Sequence, residues 1–163
     1  MIKFEYLNKP DFSQCTQTLF DILSGNMTKI APTGNTLEDD FKMWFSCTGE
    51  ALQNEERQMI LIKDNESIVG YFQYYTNEDT FIMEEIQFKP EYQGTGIFRE
   101  LYGFVLRNIN PDLKYVRANA GISNLKSIGI LEHFGLENMG LNKNGRSYRF
   151  CGDFYKLVKW HED

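Results

Sequence analysis

A strand that stops at a proline and returns as a helix through a glycine turn leaves this sequence few folds. The segment is Phe88-Lys89-Pro90-Glu91-Tyr92-Gln93-Gly94-Thr95-Gly96-Ile97-Phe98-Arg99-Glu100-Leu101. Proline cannot continue a strand ladder, and the two glycines allow backbone angles closed to other residues. Beyond them Ile97, Leu101, Phe104 and Val105 recur at i, i+4, i+7, i+8, which is one face of a helix. A turn of this kind directs consecutive backbone N–H groups outward where a helix begins, with its unsatisfied donors and positive dipole end. It suits a phosphate or pyrophosphate. The competing reading is an ordinary strand-to-helix connection.

The surrounding sequence supplies the rest of an α/β domain. Ile2–Leu7 alternates as a strand, and Asp11 with Gln14 signals a helix start. Cys15, Leu19, Ile22 and Leu23 give that helix its apolar face, and Gly25-Asn26 predicts its end. Thr36 with Asp39 opens a second helix carrying Phe41, Trp44, Phe45 and Leu52. Residues 58–63 and 67–75 form a predicted hairpin around Asp64-Asn65-Glu66, and 81–88 is a third strand of the same sheet. After the glycine turn and its helix, Tyr115–Ala118 is a strand and Asn124–Phe134 a helix that Gly135 stops. Residues 136–160 read as strand with a turn near Asn144-Gly145, and Gly152-Asp153 as a bulge or second turn. The order β-α-α-β-β-β-α-β-α-β-β predicts a mixed, mostly antiparallel central sheet of about seven strands flanked by about four helices.

Bulk properties bound the function. A length of 163 residues with 42% hydrophobic and 25% charged content predicts one ordered domain, 1–163. A net charge of −6 argues against nucleic acid as a partner, which would call for a basic face. Cys15, Cys47 and Cys151 lie far apart, and His133 and His161 form no ligand pair with them. Reduced thiols, a cytoplasmic location and no metal site are therefore expected. No apolar run approaches the roughly 18 residues of a membrane span, and the N-terminal strand has no signal-peptide core. A Rossmann site is disfavoured because Arg99 stands at the third glycine position and no first βαβ unit precedes it.

Gln93-Gly94-Thr95-Gly96-Ile97-Phe98 resembles the Gln/Arg-x-x-Gly-x-Gly/Ala motif of the GNAT superfamily of acyl-CoA-dependent N-acyltransferases. A second stretch, Asn124-Leu125-Lys126-Ser127-Ile128-Gly129-Ile130-Leu131-Glu132-His133-Phe134-Gly135-Leu136, is similar to that family's Asn-x-x-Ala/Ser-x-x-x-Tyr-Glu-x-x-Gly-Phe. Met83–Gln93 also looks like the strand-to-loop run of its spermidine/spermine-type members. The motifs span about Met83 to Leu136. Two positions depart from the pattern: Phe98 stands where a small residue is usual, and Leu131 stands at the tyrosine position.

The resemblance implies an N-acetyltransferase that uses acetyl-CoA as co-substrate and a primary amine as acceptor, acting as a monomer or homodimer. Gln93, Gly94, Thr95, Gly96, Ile97 and Phe98 would hold the CoA pyrophosphate. Main-chain groups of Ile86 and Phe88 would pair with pantetheine, one strand N–H serving the oxyanion. Glu84 would be the general base acting through water, with Glu85 taking that role if a β-bulge reverses the facing. A solvated or paired strand carboxylate is the plain alternative for either. Asn124 and Ser127 would line the cofactor groove, Asn124 having a helix cap as its alternative. The family's acid is often the tyrosine replaced here by Leu131, so the acid is unassigned, with Tyr148 and Tyr155 as substitutes. Thr33, Asn35, Asp39, Asp40, Tyr74 and Tyr75 fall where the resemblance implies an acceptor pocket. A non-catalytic acyl-CoA-binding or regulatory domain on the same fold is the second expectation.

Overall fold

The computed structural model describes residues 1–163. In chain order it contains β1 (Ile2–Tyr6), α1 (Phe12–Met27), α2 (Leu37–Ala51), β2 (Arg57–Asp64), β3 (Ser67–Asn77) and β4 (Thr80–Phe88). There follow α3 (Ile97–Asn108), β5 (Tyr115–Gly121), α4 (Leu125–His133), β6 (Glu137–Leu141), β7 (Ser147–Asp153) and α5 (Phe154–Glu162). Short 3-10 turns occupy Lys9–Asp11 and Pro90–Tyr92. The seven strands form one sheet in the order β1-β2-β3-β4-β5-β7-β6. β1 with β2, β5 with β7 and β6 with β7 are antiparallel, while β4 runs parallel to β5 from Thr80↔Tyr115 to Met83↔Ala118. That parallel pair needs a crossover, which α3 supplies.

By internal packing the chain divides into two units. The first is Met1–Tyr74 with Glu85–Ile97, and the second is Tyr75–Glu84 with Phe98–Asp163. In the first, Phe12 and Leu19 of α1 pack with Leu7, Leu52, Met59, Leu61 and Tyr71. Leu19 is fully buried, so Leu19→Ala should cost about 2–5 kcal/mol through lost contacts and the cavity left behind. Edge-to-face packing of Phe20 on Phe41, with ring centroids 5.3 Å apart, ties α1 to α2. α2 begins where the spacing predicts, because the Thr36 hydroxyl accepts the Asp39 N–H at 3.1 Å. Asn65 takes the left-handed conformation in the β2–β3 turn (φ 55°), which asparagine tolerates better than most residues.

In the second unit β5 alternates, with Val116, Ala118 and Ala120 buried. Phe98, Tyr102, Phe134 and Trp160 form an aromatic cluster, Phe134 lying 4.5 Å from Trp160 between centroids. The large residue at Phe98 is thus accommodated by packing its side chain against three other rings.

Beyond shifts of a few residues at strand ends, two differences from expectation stand out. α1 runs past Gly25 to Met27. More important, the tail is not strand throughout: α5 follows β7 directly and makes five α-helices where about four were expected. Phe150 to Val158 is dense in aromatic residues, a composition that favours strand. The helical signal was the pair Phe154 and Leu157, three residues apart and both buried. Gly152 lies within β7. A Cβ there would sit 3.2 Å from the Leu136 Cα, so close backbone approach, not a turn, explains it.

Candidate functional site

The segment between β4 and α3 is built from short-range bonds. Lys89, Pro90 and Tyr92 make a 3-10 turn in which the Tyr92 N–H bonds the Lys89 carbonyl (3.0 Å) and the Gln93 N–H bonds the Pro90 carbonyl (3.2 Å). Gly94 and Gly96 then adopt φ of 75° and 88°. A Cβ at either position would meet nothing within 4 Å, so the left-handed backbone, not crowding, demands glycine there. The N–H groups of Gly94, Thr95 and Gly96 bond no group of the protein, and Ile97 begins α3. The result is a run of open donors at a helix N-terminus with free space around it, a fit for a di- or polyanion.

The side chains around this run hold it from behind. The Thr95 hydroxyl donates to the Tyr92 carbonyl at 2.7 Å. The Gln93 side-chain amide donates to the Phe88 carbonyl at 3.2 Å, and the same oxygen receives the Asn26 amide at 2.8 Å. Two consequences follow for the expected residues. Gln93 turns both its N–H and its side-chain amide inward, so the open set begins at Gly94. The Phe88 carbonyl already accepts two side-chain amides and is closed to further pairing.

The two carboxylates of β4 have different surroundings. Glu84 is exposed and belongs to the second unit. Glu85 is half-buried in the first unit, where its carboxylate accepts the hydroxyl of the fully buried Tyr71. Burial, and then the Glu85 charge, push the Tyr71 hydroxyl far above its ordinary range, so it stays protonated and donating. The Trp44 indole N–H comes close enough to oppose that shift, yet it falls outside hydrogen-bond geometry and is left buried without an acceptor. Ile86 is half-buried beside Glu85.

The sequence profile of the acetyltransferase (GNAT) family matches residues 16–136. The chain belongs to that family. Comparison with curated protein sequences finds no match. Solved structures agree in fold. PaiA N-acetyltransferase from Thermoplasma acidophilum, in complex with coenzyme A, has a TM-score of 0.74 at 11% identity, covering 94% of this chain and 99% of that one. An acetyltransferase from Thermus thermophilus gives 0.72 at 13% identity, covering 94% and 97%. Spermidine N-acetyltransferase from Vibrio cholerae, in complex with CoA and spermine, gives 0.61 at 15% identity, covering 96% and 98%.

The second motif of this GNAT family member lies in the second unit. Asn124 is the N-cap of α4, its side-chain oxygen accepting the Ser127 N–H at 3.2 Å, and Ser127 is half-buried in the first turn. Leu131 is buried and apolar, so the tyrosine position carries no proton here. Tyr155 is 70% exposed on α5, and Tyr148 is half-buried on β7. Among the residues expected at an acceptor pocket, Thr33 and Asn35 both donate to Asp40, at 2.7 and 3.4 Å. Tyr74 is buried with its hydroxyl 2.7 Å from that of Tyr6.

Sequence reasoning missed Tyr71, Asn26 and Asp64. Tyr71 was visible only as a strand residue, Asn26 only as a helix stop and Asp64 only as a turn. Asp64 accepts the Tyr92 hydroxyl at 2.7 Å, and that bond, followed by the adjacent amino terminus, holds its carboxyl below the usual range. No group of three or more His, Cys, Asp or Glu side chains is placed to hold a metal ion, and no helix is long and apolar enough to cross a membrane.

Proposed function

We propose that residues 1–163 form one acetyltransferase domain that moves an acetyl group from acetyl-CoA to a primary amine by direct attack on the thioester. The observation that carries this reading is the run of open amides at Gly94, Thr95 and Gly96 on the N-terminus of α3. The CoA pyrophosphate supplies the charge those donors accept, with the Ile97 and Phe98 amides of the first helical turn adding to them. The pantetheine arm pairs with main-chain groups of Ile86, and the Phe88 carbonyl, taken by the Asn26 and Gln93 amides, drops out of the expected pairing.

The amine must be neutral when it attacks. A base removes one proton from the ammonium, and the neutral amine adds to the thioester carbon to give a tetrahedral oxyanion with a positive nitrogen. That nitrogen loses a second proton to water, and the C–S bond breaks to release the thiolate. We assign the base to Glu84, working through a water, because its side chain is exposed and water reaches it. Glu85 is the second choice, because its carboxylate is already engaged by the Tyr71 hydroxyl. A β4 main-chain N–H receives the oxyanion. With Leu131 at the tyrosine position, no residue is assigned as acid, and the thiolate leaves unprotonated.

The acceptor is an amine. Polyamines stand first, since a fold relative from Vibrio cholerae is a spermidine N-acetyltransferase bound to spermine. The test is CoA release from acetyl-CoA over polyamines, amino acids, aminoglycosides and peptide N-termini. Glu84→Gln should lower kcat at least about a hundredfold, a typical contribution of a positioned base, and leave CoA binding intact. Equal rates for wild type, Glu84→Gln and Glu85→Gln would remove both carboxylates from the role. Buried Leu131 is the observation that favours a second reading, an acyl-CoA-binding domain without turnover. Tight acetyl-CoA binding with no acceptor across the whole panel would select it.

A further inference from the structure

Gly94 and Gly96 contribute no side chain, and nothing approaches within 4 Å of where one would be. Packing therefore does not hold the open amides in place. Beside Gln93, whose amide holds the Phe88 carbonyl, what holds them is Tyr92, which is bonded at three atoms. Its N–H reaches the Lys89 carbonyl (3.0 Å), its carbonyl receives the Thr95 hydroxyl (2.7 Å), and its own hydroxyl donates to Asp64 (2.7 Å). Asp64 is the last residue of β2, fixed by its pairing with Ile2 and by the tight turn at Asn65. A rigid strand end is thus connected through Asp64, Tyr92 and Thr95 to three glycine-loop amides. Of these three bonds, only the one to Asp64 ties Tyr92 to a residue distant in sequence.

We infer that Asp64 and Tyr92 are positioning residues for the donor loop: their hydrogen bond preorganises the Gly94–Gly96 amides for a pyrophosphate. The inference rests on the acetyl-CoA reading for its ligand, and on the geometry alone for the brace. A preorganised loop binds more tightly because less order is lost on binding. The benefit is confined to the part of the donor that touches the loop. A donor without the pyrophosphate gains nothing from the brace, which separates positioning from general stability.

The experiment compares the full-length wild type, Tyr92→Phe, Asp64→Ala and the double variant with two donors. One is acetyl-CoA and the other is S-acetylpantetheine, which has the thioester arm and no phosphate. Each single variant should raise the acetyl-CoA dissociation constant, read by calorimetry, about fivefold, within the range of one ordinary hydrogen bond. The double variant should match the singles, and kcat/KM with S-acetylpantetheine should stay within about twofold of wild type, a ratio well inside one hydrogen bond. Amide hydrogen exchange at Gly94, Thr95 and Gly96 in the unliganded protein should speed up in Tyr92→Phe. Unchanged acetyl-CoA affinity in the variants, or equal losses with both donors, would overturn the brace and leave the acetyl-CoA reading standing. A wild type that binds no acetyl-CoA while loop exchange still responds to Tyr92→Phe would overturn the acetyl-CoA reading and the loop's assigned role together.

Discussion

Two helix N-termini in this protein solve the same problem in opposite ways. α4 satisfies its own first turn, because Asn124 turns its side-chain oxygen onto the Ser127 N–H. α3 has no such residue. It is preceded by Gly96, and the amides leading into it bond nothing within the chain. Unsatisfied donors are tolerable there because the turn is exposed and water reaches it. α2 sides with α4, using Thr36. A capped terminus is finished, while an uncapped one with left-handed glycines and clear space keeps its donors for an anion from outside.

Among changes at these helix termini, the largest expected effect is at Gly96. Gly96→Ala adds a methyl group that meets nothing, so its cost is the left-handed backbone alone, about 1–2 kcal/mol for a residue with a Cβ. The loop escapes that cost by leaving φ 88°, which misdirects the amides. Acetyl-CoA affinity should fall about tenfold or more, one factor of ten corresponding to ~1.4 kcal/mol. Calorimetry of acetyl-CoA binding reads it. An unaltered affinity would mean the open amides of α3 are as irrelevant to the donor as the capped ones of α4.

Next comes Asn124, where cap and donor contact can be separated. Asn124→Ala removes the cap and should lower stability by about 1 kcal/mol in a denaturant titration. Asn124→Asp keeps an acceptor for the Ser127 N–H and loses the side-chain N–H donors. It should hold stability within about 0.5 kcal/mol of wild type while raising the acetyl-CoA KM several-fold, if Asn124 also reaches the donor arm. Recovery of both stability and KM in Asn124→Asp would reduce the residue to a cap.

The same contrast shows what sequence can and cannot carry. The glycine turn was legible because its causes are local: proline ends the strand, glycines take positive φ, and the apolar spacing of Ile97, Leu101 and Val105 starts the helix. The Thr36 cap was legible for the same reason. Contacts that depend on strand register were not. Glu85 meets Tyr71 from 14 residues away and Tyr92 meets Asp64 from 28, and neither pairing has a periodicity to announce it. α5 was lost for a different reason. Two buried positions, Phe154 and Leu157, are too few to outweigh the strand-like composition around them.

The smallest predicted effect reverses the sign of the first. Gly129 lies inside α4 with no positive φ, and a Cβ there also meets nothing within 4 Å. Gly129→Ala therefore removes backbone freedom from the unfolded chain and imposes no strain on the folded one. It should stabilise the protein by about 0.5–1 kcal/mol, seen as a higher denaturant midpoint at unchanged slope. Since the added methyl group is identical at Gly96 and Gly129 and touches nothing at either, opposite outcomes can arise only from backbone conformation. A stabilised Gly96→Ala would show that the α3 turn does not need its left-handed glycine. A destabilised Gly129→Ala would show that α4 meets a neighbour at that position in solution.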